Sequence, residues 1–330
     1  MAALNGLLRL CCDAHDRSSW RFTGSSPAPF MAKVTERSDV GLFAARDVCA
    51  GERVLAETPL ATWCVAADAT NAEKLRSFED MVARLPPQTA AAIYKLSQSP
   101  RFGASKTLLG TWQTNGLPIN YESETRPGTT TSELLSKKEA AVYKSICRLN
   151  HSCMPNCHAE WNCRLGKQTV HALVAIPVGR ELTICYLPPR GFERELRRSQ
   201  LFAEHGFQCG CARCSLTGDM LAASEARQRA IGALHRPADA KLPMPDLVKR
   251  LDVRLRLMSE EGMPHLWAWK PLLYPLVVAS RAELMRDTGP ACWQRVASWA
   301  ERAHEVFSSS LGMDHPASEL VASILREVGR

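Results

Sequence analysis

The stretch Arg148–Cys157 reads RLNHSCMPNC and decides the fold assignment of the chain. It is polar and rich in turn-forming residues, and it lies between a segment of helical character and one with the alternation of a strand. Its residues Asn150-His151-Ser152 match a glycosylation acceptor, but no export signal is expected in this chain, so that interpretation fails. The stretch on its own therefore predicts a polar turn that leads into a strand.

Short strands with turn signals are predicted on both sides of this stretch. Residues 30–62 contain apolar runs separated by the turn Ala50-Gly51-Glu52, and Pro177-Val178-Gly179 is a second turn further along the chain. The predicted strand segments are Val40–Ala44, Arg53–Ala56, the alternation Val170, Ala172, Val174, and the alternation Leu182, Ile184, Tyr186. The zones 30–62 and 147–190 are therefore expected to be β-structure.

Helices are predicted between and after these β zones. Asn71–Lys95 is rich in Ala, Glu, Lys and Leu and should be helical, with a break at Pro86-Pro87, while Glu122–Thr131 should be a loop. From about residue 220 the chain should be helical to its end. The apolar faces of these later helices comprise Leu247, Leu251, Leu255 and Met258, then Val296, Trp299, Ala300, Ala303 and Phe307 up to Gly312, then Leu320, Val321, Ile324 and Leu325 after Pro316.

A cluster of cysteines follows the second β zone, with the spacing Cys209-x-Cys211-x2-Cys214. The chain has 13 cysteines and no expected secretory signal, which indicates a reducing compartment, the cytoplasm or the nucleus. Three closely spaced thiols suit tetrahedral zinc, which needs a fourth ligand. Spacing alone leaves that ligand open among Cys153, Cys157, Cys163, Cys185, His158 and His205.

The overall composition is that of an ordinary globular protein. Hydrophobic residues make up 45% and charged residues 23%, and no apolar run is long enough to predict a transmembrane helix. The formal net charge of +7 is spread along the sequence without a basic block, so direct nucleic-acid binding is not expected.

The stretch at Arg148–Cys157 resembles the signature of SET-domain methyltransferases, written N-H-S-C-x-P-N, and holds all six of its fixed letters. Other segments resemble the family in the expected order. They are Gly41–Ala45 and Gly51–Leu55 (opening strands), Thr114-Asn115-Gly116 (a segment of the SMYD-like branch), Gly179–Tyr186 (G-E-E-[IL]-T-I-x-Y) and Phe207–Cys214 (post-SET F-x-C-x-C-x2-C). The helical tail faintly resembles the C-terminal domain of SMYD proteins, whereas no segment resembles their MYND zinc module.

The resemblance implies a site for S-adenosylmethionine. Its cofactor-binding residues would be Gly41, Leu42, Asn115, Asn150, His151, Tyr186 and Phe207. In this scheme Phe207 stacks on the adenine, and Tyr186 is also the catalytic tyrosine. The resemblance also names Cys153 as the fourth ligand of one structural zinc, which would join Cys209, Cys211 and Cys214.

Four positions depart from the family pattern. Asp39 replaces the first glycine of a G-x-G, and Arg180 replaces the first glutamate after Gly179. His205 replaces an aromatic residue two positions before Phe207, and Cys147 replaces a serine before the signature. Asp39 and His205 leave open an alternative function, a catalytically weak SET scaffold that binds proteins through its helical tail.

The sequence thus predicts an α+β protein built on a SET β-fold of small sheets. The expected parts are an N-terminal segment (1–29), a SET domain (30–190) with a helical insertion at about 66–146, a post-SET zinc segment (191–215) and an all-α C-terminal domain (216–330). The expected activity is methylation of lysine side chains in a protein substrate, by a monomer without membrane association.

Overall fold

The computed structural model describes residues 28–35, 40–66, 68–119, 137–187, 191–234, 244–267 and 290–328. Over these ranges, ten short strands form three small sheets, and eight α-helices accompany them. The α+β class predicted from the sequence is confirmed. No helix in the described ranges has the length and apolar character needed to cross a membrane.

The strands are β1 (Phe30–Val34), β2 (Val40–Ala44), β3 (Arg53–Glu57), β4 (Ala61–Ala66), β5 (Leu117–Pro118), β6 (Lys137–Val142), β7 (Asn150–His151), β8 (Cys157–Asn162), β9 (Lys167–Ala172) and β10 (Glu181–Ile184). The helices are α1 (Asn71–Ala83), α2 (Pro87–Tyr94), α3 (Leu108–Asn115), α4 (Arg194–His205), α5 (Gly218–Ala233), α6 (Met244–Glu261), α7 (Pro290–Leu311) and α8 (Pro316–Val328). Short 3₁₀ helices occupy Pro100–Phe102 and Ile146–Arg148.

The first sheet has the strand order β1-β2-β10-β7 and carries most of the predicted site. Strand β10 is antiparallel to β2 and parallel to β7, so segments more than a hundred residues apart lie side by side. The other sheets have the orders β3-β9-β8 and β4-β6-β5. Buried apolar side chains such as Leu42 and Leu182, which are 1% and 0% exposed, join the first sheet to the core.

Two of the predicted strands end earlier than the alternation of apolar residues suggested. Strand β9 stops at Ala172, and Val174 lies in a bend with 53% of its surface exposed. The Leu173 N–H still bonds the Asn156 carbonyl oxygen at 2.8 Å, as the next pair of the β8–β9 ladder, and the chain bends directly after it. Strand β10 stops at Ile184, so Tyr186 lies two residues beyond the strand.

The insertion between β4 and β6 is helical, and its first helix ends where predicted. Thr70 begins α1 with a capping box, in which Thr70 and Glu73 bond each other's backbone N–H groups. The helix ends before Pro86-Pro87, and α2 restarts with Pro87 at its first turn, where a missing N–H costs nothing. The predicted loop Glu122–Thr131 lies outside the described residues.

The C-terminal helices bury the predicted apolar faces. Val296, Trp299, Ala300, Ala303 and Phe307 of α7 are each at most 2% exposed, and Leu251, Leu255 and Met258 of α6 are buried with them. The side chain of Leu247 lies outside the described residues. Gly312 ends α7 with φ +92°, and a Cβ there would lie 2.5 Å from Arg53 Nη2, so only glycine suits this position. Arg53 also forms an ion pair with Asp314, which joins the helices to β3.

Candidate functional site

Two polar side chains and a glycine meet where strands β2, β10 and β7 run side by side. The Asn150 amide donates a 2.7 Å hydrogen bond to the Glu181 carboxylate. A Cβ on Gly41 would lie 2.5 Å from Glu181 Oε1 and 3.0 Å from Asn150 Nδ2, so any side chain here would displace the end of the Glu181 side chain. Leu42 turns its side chain into the core and leaves only its backbone near the pair. The sheet therefore brings Gly41, Leu42 and Asn150 together.

The last asparagine of the signature joins this turn to strand β10. The Asn156 amide donates to the Glu181 carbonyl oxygen at 2.8 Å, while its own oxygen accepts the Thr183 N–H at 2.8 Å. The Ser152 N–H bonds the Ile184 carbonyl oxygen at 2.9 Å. These bonds fix the signature turn to the sheet beside it.

Four rings cluster beyond the end of β10. The Tyr186 ring centroid lies 4.8 Å from that of His205, 5.3 Å from that of His151 and 6.5 Å from that of Phe207. His151 belongs to the signature turn, and Phe207 lies in the segment after α4. Burial lowers the pKa of His205, so its ring is neutral near pH 7. The cluster is a mainly apolar, half-buried surface next to the Asn150–Glu181 pair.

His151 links this ring cluster to the cysteines. Burial lowers the pKa of His151 to about 4, so the imidazole is neutral and carries one proton. Its Nδ1 accepts the Tyr186 N–H at 3.0 Å, which leaves the proton on Nε2. Nε2 lies 3.3 Å from Cys153 Sγ and is therefore the donor to that sulfur.

The Tyr186 hydroxyl donates a 2.6 Å hydrogen bond to the Leu149 carbonyl oxygen. Leu149 follows the 3₁₀ turn Ile146–Arg148, and Glu57 holds the start of that turn. The Glu57 carboxylate accepts the N–H groups of Lys144, Ser145 and Ile146, each at 3.0 Å. Glu57 thus fixes the backbone that positions the phenol.

The four cysteines named from the resemblance form one cluster. The Sγ atoms of Cys153, Cys209, Cys211 and Cys214 all lie within 4.8 Å of one another. Cys153 Sγ is 3.9 Å from Cys209 Sγ and 3.6 Å from Cys214 Sγ. Zinc–sulfur bonds of about 2.3 Å in a tetrahedron place sulfurs about 3.8 Å apart, so these residues fit zinc. Among the described residues, no other group of His, Cys, Asp and Glu side chains is arranged to share an ion.

The other thiols and the remaining positions of the sequence prediction have different surroundings. Burial raises the pKa values of Cys147 and Cys157 to about 12 and that of Cys185 to about 11, so these thiols are protonated. The Asn115 amide donates to the carbonyl oxygens of Ser97 and Thr111, both at 2.7 Å, and so holds α3. Arg180 is exposed, and Asp39 lies outside the described residues.

Two carboxylates of this site, Glu57 and Glu181, were not among the site residues predicted from the sequence. A signal for Glu181 was present, because it keeps the second glutamate of G-E-E-[IL] although Arg180 has replaced the first. Glu57 gave no such signal, since its partners are backbone N–H groups about ninety residues away.

Comparison with known proteins agrees with this geometry. The family model of the SET domain matches residues 39–187. The histone-lysine N-methyltransferase Set5 of Schizosaccharomyces pombe is 28% identical over 178 residues, which are 54% of this chain and 47% of that protein. The human histone-lysine N-methyltransferase SMYD3 is 44% identical over 87 residues, 24% of this chain and 19% of SMYD3.

Among solved structures, the SET domain of LSMT bound to lysine and AdoHcy matches 92% of this chain and 87% of its own, with 12% identity and a TM-score of 0.33. That score does not by itself establish a common fold. This chain matches less than half the length of Set5 and of SMYD3. Residues 39–187 thus match the SET domain and contain the complete signature at Arg148–Cys157 beside the first sheet, and the similarity to SMYD3 fits the SMYD-like branch.

Proposed function

We propose that this protein transfers a methyl group from S-adenosylmethionine to lysine side chains of other proteins. The observation that carries the proposal is the meeting of the Asn150–Glu181 pair with the four-ring cluster around Tyr186. A polar anchor beside a half-buried aromatic surface suits a charged cofactor and an aliphatic amine. The names of Set5 and SMYD3, histone-lysine N-methyltransferases, support the same reaction class.

The cofactor would be held by the residues that the first sheet and the ring cluster supply. The Asn150 amide has one N–H directed to Glu181, and its second N–H and its oxygen have bonding capacity left for a ligand. The backbone of Gly41 and Leu42 and the ring of Phe207 would complete the pocket. Asn115 would contribute through its amide oxygen, because its amide nitrogen already donates twice. Bound there, S-adenosylmethionine supplies a methyl group activated by a sulfonium.

Tyr186 would orient the lysine amine. Because its hydroxyl hydrogen is directed to the Leu149 carbonyl oxygen, the phenol oxygen presents its lone pairs to an incoming N–H. The rings of Tyr186 and His205 would line the aliphatic chain of the lysine and keep water away. Desolvation disfavours the charged ammonium, and the neutral amine is the form that can attack a methyl group. Holding that amine in line is a proximity effect and needs no general-base carboxylate.

One zinc ion would be structural in this proposal. All four cysteines of the cluster would be its ligands, so no open position would remain for a substrate. The metal would join the signature turn, through Cys153, to the loop that carries Phe207. It would therefore shape the cofactor pocket without acting on the substrate.

The substrate class follows from the same comparison. Histones are the first proteins to test, since the relatives are named as histone-lysine enzymes, and other proteins with an accessible lysine are the alternative. The cytoplasm and the nucleus suit reduced thiolates and both kinds of substrate.

The test is incubation of the purified protein with isotope-labelled S-adenosylmethionine and either histones or a cell lysate, followed by mass spectrometry of methyl-lysine. Labelled lysine is expected with wild type and should be much reduced with Asn150→Ala. Binding of the cofactor without transfer to any protein would favour the scaffold alternative. Absence of cofactor binding in a folded, zinc-loaded protein would refute the proposal.

A further inference from the structure

A buried guanidinium lies next to the cysteine cluster. Arg197 of helix α4 is 5% exposed, and its Nη2 lies 3.7 Å from Cys214 Sγ in donor geometry. Its Nη1 donates to the Phe192 carbonyl oxygen at 2.5 Å, and its Nε is buried without a hydrogen-bond partner in the described chain. Arg197 is therefore removed from water and points one of its arms at a thiol ligand.

Arg197 differs from the second buried arginine of this region. Arg213, 3% exposed, lies between two cluster cysteines, and its Nε is 3.2 Å from the Glu261 carboxylate. Glu261 also pairs with Arg227 at 2.8 Å and accepts a bond from Ser224. The positive charge of Arg213 is thus matched by a carboxylate of helix α6.

Within the described residues no carboxylate lies at ion-pair distance from Arg197. A buried cation without an anion is strongly unfavourable, and arginine does not lose its proton in proteins. Among the residues that the structure describes, the groups within reach that can carry negative charge are the sulfurs of the cluster. Four thiolates around one divalent cation carry an excess of two negative charges, and one guanidinium would offset one of them.

We infer that Arg197 is the counter-ion of an ionised cysteine cluster and sets its affinity for metal. This inference rests on the zinc assignment of the proposed function and adds a residue that acts through the thiolates.

The consequence concerns how tightly the four thiolates would hold a divalent cation. The guanidinium of Arg197 beside Cys214 offsets part of the excess negative charge of a zinc-loaded cluster. Without that guanidinium the loaded cluster would keep more uncompensated charge in a buried place, so zinc should be held less tightly. Second-sphere partners of metal ligands commonly contribute about 10- to 100-fold to affinity.

The neighbouring Arg198 is a matched control. Its guanidinium bonds the carbonyl oxygens of Cys209 and Cys214, at 3.3 and 3.0 Å, so it holds the same loop through neutral acceptors. Replacement of Arg198 removes two hydrogen bonds from the loop and leaves the charge next to the sulfurs in place. A comparison of variants at Arg197 and Arg198 therefore distinguishes the effect of charge compensation from that of loop support.

The experiment compares full-length wild type with Arg197→Gln, Arg197→Lys and Arg198→Gln, each checked for folding by circular dichroism. Zinc content is measured by plasma mass spectrometry, and zinc affinity by competition with a chromogenic chelator at one fixed, near-neutral pH. Arg197→Gln should lose about 10- to 100-fold in zinc affinity, while Arg197→Lys should stay close to wild type.

Several outcomes would overturn the inference. Equal affinity of Arg197→Gln and wild type, or an equal loss in Arg197→Gln and Arg198→Gln, would show that charge is not the cause. If Arg197→Gln does not fold, Arg197→Lys decides alone, and a loss of about tenfold or more there would overturn it. Wild type without zinc would reject the metal assignment together with the inference, whereas cofactor binding, measured separately, tests the methyltransferase proposal.

Discussion

The substitution Gly41→Ala tests whether the Asn150–Glu181 pair forms the cofactor pocket. The new methyl group would lie 2.5 Å from Glu181 Oε1, 3.0 Å from Asn150 Nδ2 and 3.0 Å from Thr35 Cγ2. The first distance is too short for any carbon–oxygen contact, so the carboxylate must move. Gly41 has no positive φ, and alanine can therefore adopt its backbone conformation. The effect of the substitution is steric and directed at the pair.

The magnitude follows from the bond that the methyl group disrupts. Moving Glu181 Oε1 to ordinary contact distance breaks its 2.7 Å bond with the Asn150 amide. A hydrogen bond to a charged group contributes about 1.5–3 kcal/mol, and overpacking a buried site costs about 1–3 kcal/mol. If Asn150 must be held in place to bind S-adenosylmethionine, the affinity of the Gly41→Ala variant for this cofactor should be about 10- to 150-fold lower than that of wild type.

Isothermal titration calorimetry of S-adenosylmethionine against wild type and Gly41→Ala measures this loss directly, with the melting temperature as the check on folding. In a Glu181→Ala background the clash with the carboxylate is absent, so Gly41→Ala should weaken binding much less there. Unchanged affinity in Gly41→Ala, or effects of Gly41→Ala and Glu181→Ala that simply add, would refute the reasoning.

Three further substitutions test other parts of the site. Tyr186→Phe should lower methyl transfer by about tenfold or more in a kinetic assay, because it removes only the hydroxyl that orients the amine; a variant that keeps full turnover would exclude this role. The same change leaves the buried Leu149 carbonyl without its 2.6 Å donor and should destabilise the fold by about 1–3 kcal/mol in denaturant titration. Cys211→Ser should remove zinc, as plasma mass spectrometry would detect, and a stoichiometric metal content in this variant would contradict the ligand assignment. Glu57→Gln should lower the free energy of unfolding by about 1–3 kcal/mol, since one carboxylate holds three N–H groups, and unchanged stability would show that water replaces it.

Much of the fold could be predicted because local signals in the sequence were strong. Pro86-Pro87 ended α1, and the periodic apolar residues of α7 became its buried face. The alternation that ended at Val174 gave a strand that was too long, because apolar periodicity does not reveal where the chain bends away from its partner strand. A strand is decided by its hydrogen-bond partner, and the sequence of one segment does not contain that information.

The residues of the candidate site were also predictable only where a local motif marked them. The signature supplied Asn150 and His151, but spacing could not choose the fourth cysteine, because Cys153 lies 56 residues before Cys209. The choice depends on the parallel pairing of β7 with β10, which brings the signature turn toward the chain that continues into α4 and the cysteine loop. Arg197 and Glu57 were missed for a related reason, since their partners are sulfurs and backbone groups distant in sequence.

Two different kinds of interaction hold the candidate pocket, namely sheet hydrogen bonds with a buried core and the cysteine cluster. Each should be lost under different conditions. The side with Gly41, Asn150 and Glu181 belongs to a hydrogen-bonded sheet with a buried core, which does not depend on metal. The side with Phe207 would depend on the cysteine cluster, where neutral thiols 3.6–3.9 Å apart attract one another only weakly and, among the described residues, leave the buried Arg197 without an anion. Loss of zinc would therefore break the link between the signature turn and the loop that carries Phe207, and it would also remove the thiolate partners of Arg197. The loop would then open while the sheet stayed folded. Chelation should thus weaken cofactor binding at a temperature at which the sheet still gives its native circular dichroism.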